Sequence, residues 1–163
     1  MNLFILSLNP IECASMMMDK HVVKIILEAI QMLCSAKRLL DPDDPICERL
    51  YKVAHKNHPV TIWVRSSLEN YNWTLDLVDA MHKEWQYRYN HSKIHKSYVI
   101  ALMLRENPPK DFSYSGLTAF AKAMPEEYKC IEDPIEAYRQ YYKSEEKRRI
   151  ASWKKREKPE WFY

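Results

Sequence analysis

Glycine is nearly missing from this chain: one residue in 163, Gly116. The tight turns that join neighbouring strands call for positive φ, which glycine supplies cheaply, so a sheet-rich fold is not expected. No apolar run approaches the roughly 18 residues of a membrane span. Met1 to Leu8 also lacks the basic leader and small-residue cleavage site of a signal peptide, which makes a soluble, unsecreted protein of the cytoplasm the expectation. The four cysteines, Cys13, Cys34, Cys47 and Cys130, form no C-x-x-C pair. They suggest neither a zinc ribbon nor a disulfide framework and are expected as reduced core thiols. His55 and His58 find no third ligand at a convincing spacing, so no metal and no cofactor are expected. Charge of one sign is scarce too. The 25 Lys and Arg against 22 Asp and Glu leave a net +3, and for a nucleic-acid binder clustering matters more than that sum.

Apolar residues are plentiful, at 47% hydrophobic and 12% aromatic, enough for one core. An all-α fold follows, a single compact monomeric domain over residues 1–163. Asn9-Pro10-Ile11-Glu12 offers a cap and a proline for a helix start, and apolar residues then recur at three and four spacing to Leu40. Asp41-Pro42 stops that helix. A short helical stretch is predicted over 46–53, a long helix from Pro59 to about Tyr89, another over 94–105, and a short one over 117–123. A third long helix runs from Pro134 to Trp153, followed by a basic aromatic tail that ends in Trp161-Phe162-Tyr163.

Three polar clusters can carry chemistry. In Asp19-Lys20-His21-Val-Val-Lys24-Ile-Ile-Leu-Glu28, spacing of three and four gathers an acid, a base and cations, and it is equally the pattern of a solvated ion-pair ladder. His55-Lys56-Asn57-His58 stands at a helix entrance, where exposed N–H groups favour an anion such as phosphate, and Asn57 also suits a cap. Arg65, Asn70, Arg88, His95 and Lys96 are interleaved with Trp63, Trp73 and Trp85, a mixture that grips phosphates and stacks bases as readily as it builds a core. One groove for DNA phosphates is predicted from Lys24, His58, Arg65, Arg88 and Lys96.

Taken in order, Asn2-Leu-Phe-Ile-Leu6, Asp19-Lys-His-Val-Val-Lys24, His58-Pro-Val-Thr-Ile-Trp63, Pro125-Glu-Glu-Tyr128 and Lys158-Pro-Glu-Trp161-Phe-Tyr163 resemble the pyrimidine-dimer DNA glycosylases. The phage-type endonuclease V belongs to that family, and the longer viral relatives are more similar still. The resemblance implies a helical domain that flips a nucleotide out of double-stranded DNA, with the N-terminal segment lying between helices. It also implies attack on the sugar by the chain's own α-amine through a Schiff base, assisted by a carboxylate of the first long helix. An α-amine as a class titrates near pH ~8, well below an ordinary lysine near ~10, and is partly free at neutral pH.

The candidate catalytic residues are therefore Met1 or Lys20 as nucleophile, Asp19 or Glu28 as carboxylate, and His21 as acid or base. The candidate nucleic-acid contacts are Lys24, His55, Asn57, His58, Arg65, Asn70, Arg88, His95, Lys96 and Trp161. Excision of a damaged or modified pyrimidine, with an abasic-site lyase step, is the leading reading. Two others stay open: exchange of a substituent on a modified pyrimidine in DNA, and a nucleic-acid-binding module without catalysis.

Overall fold

Short caps and prolines start the helices of this chain, whose computed structural model spans residues 1–163. Asn9 accepts from the backbone N–H groups of Ile11 and Glu12 to open α1, Pro10–Met16, and Asp133 accepts from Ile135 to open α7, Pro134–Tyr142. Both put proline in the first turn, where its missing N–H costs nothing. The other helices are α2, Asp19–Leu40; α3, Pro59–Val64; α4, Leu68–Arg88; α5, Tyr98–Glu106; α6, Glu126–Lys129; and α8, Glu145–Arg148. There is no strand, so the architecture is all-α, and no helix is long and apolar enough to cross a membrane.

Each of the three long helices predicted from periodicity is divided in two. Met17 and Met18 are extended, with ψ of 140° and 154°, and separate α1 from α2. Tertiary partners take the backbone groups that a continuous helix would pair internally. The Tyr142 hydroxyl accepts the Met18 N–H at 3.3 Å, and Arg88 collects the carbonyls of Ala14, Ser15 and Met17. Ser67 restarts the second helix as the cap of α4, accepting from Asn70, and Ser144 does the same for α8, accepting from Lys147. Apolar periodicity runs through all three breaks because the side chains there still face the core.

Residues 117–123 are not the short helix predicted but an irregular seam. Their backbone groups bond to side chains of other elements: Thr118 to Trp63 and Asn70, Ala121 to Tyr138, and Ala123 to Tyr138 and Asn2. The stretch predicted helical over 46–53 shortens to a 3₁₀ turn, Pro45–Arg49.

α2 and α4 pack against each other at the centre. Beside them the N-terminal segment is threaded into the core, with Leu3, Ile5 and Leu6 at most 2% exposed. Burying each such side chain is worth roughly 1.5–3 kcal/mol, which holds the start of the chain in place. Phe4 turns this segment with a φ of 53°, in the left-handed region. Cys13, Cys34 and Cys47 are buried thiols as expected, whereas Cys130 is exposed. Burial pushes Cys13 up to about 11 and Cys34 up to about 12.

Candidate active site

Glu28 follows Asp19 by nine residues on α2, about two and a half turns, so the two carboxylates point to opposite sides of the helix. Only Glu28 faces the start of the chain. Its Oε2 accepts the backbone N–H of Asn2 at 2.9 Å and lies 3.9 Å from the α-amine of Met1, while its Oε1 is 3.4 Å from Lys24 Nζ. These groups share a cavity of about 400 Å³ with Phe4, His21 and His58. A larger open cleft of about 580 Å³ beside Asp76, Asp79 and Lys83 contains neither the amine nor Glu28.

The amine is fixed through its neighbour. Asn2 donates from Nδ2 to the Ala123 carbonyl at 2.6 Å, and its Oδ1 accepts the Leu3 N–H at 2.8 Å and faces the Tyr138 hydroxyl at 3.2 Å. Phe4 then stacks on His21, with ring centroids 4.2 Å apart. His21 Nδ1 meets the Tyr142 hydroxyl at 2.6 Å. Burial first, and then the charges of Lys147 and Lys24, push the His21 imidazolium down to about 3. The ring is neutral at physiological pH and so supplies hydrogen bonds rather than an acidic proton.

Asp19 belongs to a different assembly. Only 3% exposed, it accepts from Arg88 Nη1 at 3.1 Å, from the Ser152 hydroxyl at 2.8 Å and from the Lys154 N–H at 3.0 Å. Glu84 completes the cluster by pairing with both Arg88 and Arg156. The pattern Asp19-Lys-His-Val-Val-Lys24 therefore divides between two sites. Lys20 is exposed and lies outside the cavity.

The groove predicted from Lys24, His58, Arg65, Arg88 and Lys96 is not formed. Lys24 and His58 do line one cavity. Arg88 instead spends all five N–H groups on Glu84, Asp19 and three carbonyls, and its buried guanidinium has none left for a phosphate. Asn70 is fully buried, donating to the Trp63 carbonyl and the Thr118 hydroxyl. Arg65 caps the Lys56 carbonyl at 2.6 Å. His95 packs on Trp85 beside Lys96, away from the cavity. His55 and Asn57 are exposed, and the cap of α3 is His58, through Nδ1, rather than Asn57. Trp161 lies against Tyr142 and under Arg139, with its buried Nε1 lacking a hydrogen-bond partner.

Four polar residues that line the cavity from the second half of the chain were not among the candidate site residues: Lys122, Lys129, Tyr141 and Lys147. They come from the irregular seam and from α6 to α8. No spacing links them to Glu28, because only tertiary packing brings them there.

A family model of pyrimidine dimer DNA glycosylases matches residues 1–97. No curated protein and no solved structure matches the chain. The matched stretch takes in α1 to α4 and contains Met1, His21, Lys24, Glu28 and His58, the part of the cavity that surrounds the amine. With more than half of its length covered, the chain belongs to the pyrimidine dimer DNA glycosylase family.

Proposed function

We propose that residues 1–163 form one DNA N-glycosylase domain that excises a damaged or modified pyrimidine extruded from duplex DNA and then acts as an abasic-site lyase. The observation that carries this reading is the pairing of an α-amine with a half-buried carboxylate in a single cavity, 3.9 Å apart. The amine nitrogen attacks C1′ of the extruded nucleotide as the bond from C1′ to the base breaks, and the base leaves with the bonding pair and takes a proton. Glu28, having taken the proton that the nitrogen gives up on bonding to C1′, passes it to the ring oxygen O4′ as the bond from C1′ to O4′ opens, which leaves an iminium. As the carboxylate it then accepts a C2′ proton, and elimination expels the 3′ phosphate. Water hydrolyses the imine and returns the free amine.

Support for the α-amine over Lys20 comes from position, since Lys20 lies outside the cavity. Asp19 is already committed to Arg88, Ser152 and Lys154, whereas Glu28 meets the amine. The protein is proposed to work as a monomer, without metal or cofactor.

Borohydride trapping on duplexes that carry an abasic site or a pyrimidine dimer tests this reading. Wild type and Lys20→Ala are expected to trap equally, and a chain with an acetylated N-terminus not at all. Mass analysis of the trapped peptide identifies the nitrogen. A chain that has lost Met1 presents the nitrogen of Asn2, which stands 2.9 Å from Glu28 Oε2. Base release without trapping would replace the covalent amine with an activated water, and equal trapping by the blocked chain would move the Schiff base to a lysine side chain.

A further inference from the structure

The cavity holds more positive charge than its chemistry at the sugar requires. Glu28 answers the α-amine and Lys24, and Lys129 at the rim pairs with the exposed Glu126 at 2.5 Å. Two further ammonium groups line it, one buried and paired only with an exposed carboxylate, the other with no carboxylate at all. Lys147 has a side chain 9% exposed, with Nζ 5.3 Å from the centre of the Phe4 ring and 5.0 Å from that of Tyr141. Its only carboxylate within reach is that of Glu146, at 3.4 Å, on a side chain 76% exposed. Lys122 meets no carboxylate and is turned inward by the carbonyls of Lys129 and Ile131, which leaves one N–H free. Taking an ammonium out of water is costly unless it is well paired, so a buried lysine whose single partner is exposed, beside a second lysine with an N–H to spare, offers an anion a favourable seat.

We infer that Lys147 and Lys122 form an anion subsite beside the α-amine, and that it seats the DNA backbone phosphate flanking the extruded nucleotide. This rests on the glycosylase reading for the identity of that nucleotide. A phosphodiester there, with its single negative charge shared over two oxygens, accepts from both ammoniums and brings C1′ against the amine. Both lysines lie outside residues 1–97, so the part of the chain beyond the family match completes the site and selects how the substrate is held.

The test uses a duplex with a tetrahydrofuran abasic analogue, and the same duplex with a neutral methylphosphonate on its 5′ or 3′ side. Binding is read by fluorescence anisotropy. Wild type is expected to lose about tenfold in affinity when one of the two flanks is neutral, the cost of one charge-assisted hydrogen bond. Lys147→Met is expected to bind the unmodified duplex about tenfold more weakly and to be indifferent to that methylphosphonate. Its melting temperature should not fall, because the substitution removes a buried charge, while the exposed Lys52→Met keeps the wild-type discrimination. If Lys147→Met discriminates as wild type does, or if wild type ignores the methylphosphonate on both flanks, the subsite is refuted. Coupling in a protein that releases no base from any lesion would keep the subsite and remove the glycosylase reading. Base release without coupling would do the reverse.

Discussion

Arg88 donates to Asp19 across 69 residues of chain, and neither side chain is more than 4% exposed. Breaking a buried pair by truncating one partner leaves the other charge desolvated and unpaired, at a cost of roughly 3–5 kcal/mol. Asp19→Ala and Arg88→Met should each destabilise by that amount in urea titrations, and the double variant by clearly less than the sum. Activity per folded molecule should remain close to wild type. A folded, stable Asp19→Asn that had lost base release would return Asp19 to the chemistry.

Glu28→Gln should behave in the opposite way. Its carboxylate contacts the α-amine, the Asn2 N–H and Lys24, and an amide keeps the shape while losing the proton transfer. Base release and trapping are expected to fall by ~10²–10⁴ with the unfolding midpoint nearly unchanged. Single-turnover kinetics beside a denaturant curve checks both halves.

Stability should depend on pH through His21. Burial, with Lys147 and Lys24, pushes its imidazolium from the ordinary 6.5 down to about 3. Between those values the unfolded chain takes up a proton that the folded one refuses, so stability is full above pH about 6.5 and declines as the pH falls toward 3. Burial also holds His58, His82 and His95 below their ordinary value, adding to the decline with the same sign. In His21→Asn, whose side-chain amide can meet the Tyr142 hydroxyl as donor or acceptor, urea midpoints measured from pH 7.5 to 4 should fall less steeply. An identical slope would show that His21 is not the responsible group.

Tyr138→Phe tests how the start of the chain is held. The ring remains, but the Ala123 N–H loses its acceptor and the Asn2 and Ala121 oxygens lose a donor. A loss of about 1–3 kcal/mol is expected from the stranded groups. Trapping should slow as well, because Asn2 no longer holds the amine against Glu28. A variant destabilised but trapping at the full rate would mean that Asn2 needs no support from Tyr138.

The helical fold was legible from the lone glycine and from Asn9-Pro10, His58-Pro59 and Asp133-Pro134, since caps and prolines act locally. The breaks at Met17-Met18, Ser67 and Ser144 were hidden, because periodicity reports which side chains are buried and not whether the backbone between them stays helical. The separation of Glu28 from Asp19 was within reach: nine residues is half a turn out of phase, so a helical wheel puts them on opposite sides. The burial of Arg88 was not, because a basic residue among aromatics reads alike whether it faces solvent or five buried acceptors. Lys122 and Lys147 were beyond any local pattern, reaching the cavity only through the packing of the seam that bonds to Asn2 and Tyr138 and of α8.

The clasp around Asp19 has a consequence for synthesis. Its partners Ser152 and Lys154 lie 133 and 135 positions downstream. While the ribosome is still making α5 to α7, Asp19 and Arg88 have each other but not the segment that completes them, so no early intermediate closes this end of the molecule. Contacts of such long sequence separation slow folding, and they make the last step one of docking rather than helix formation. The nascent chain thus carries an unfinished polar seam until residues 152–156 emerge, and a release or cleavage before that point leaves a protein with its helices but without its seal.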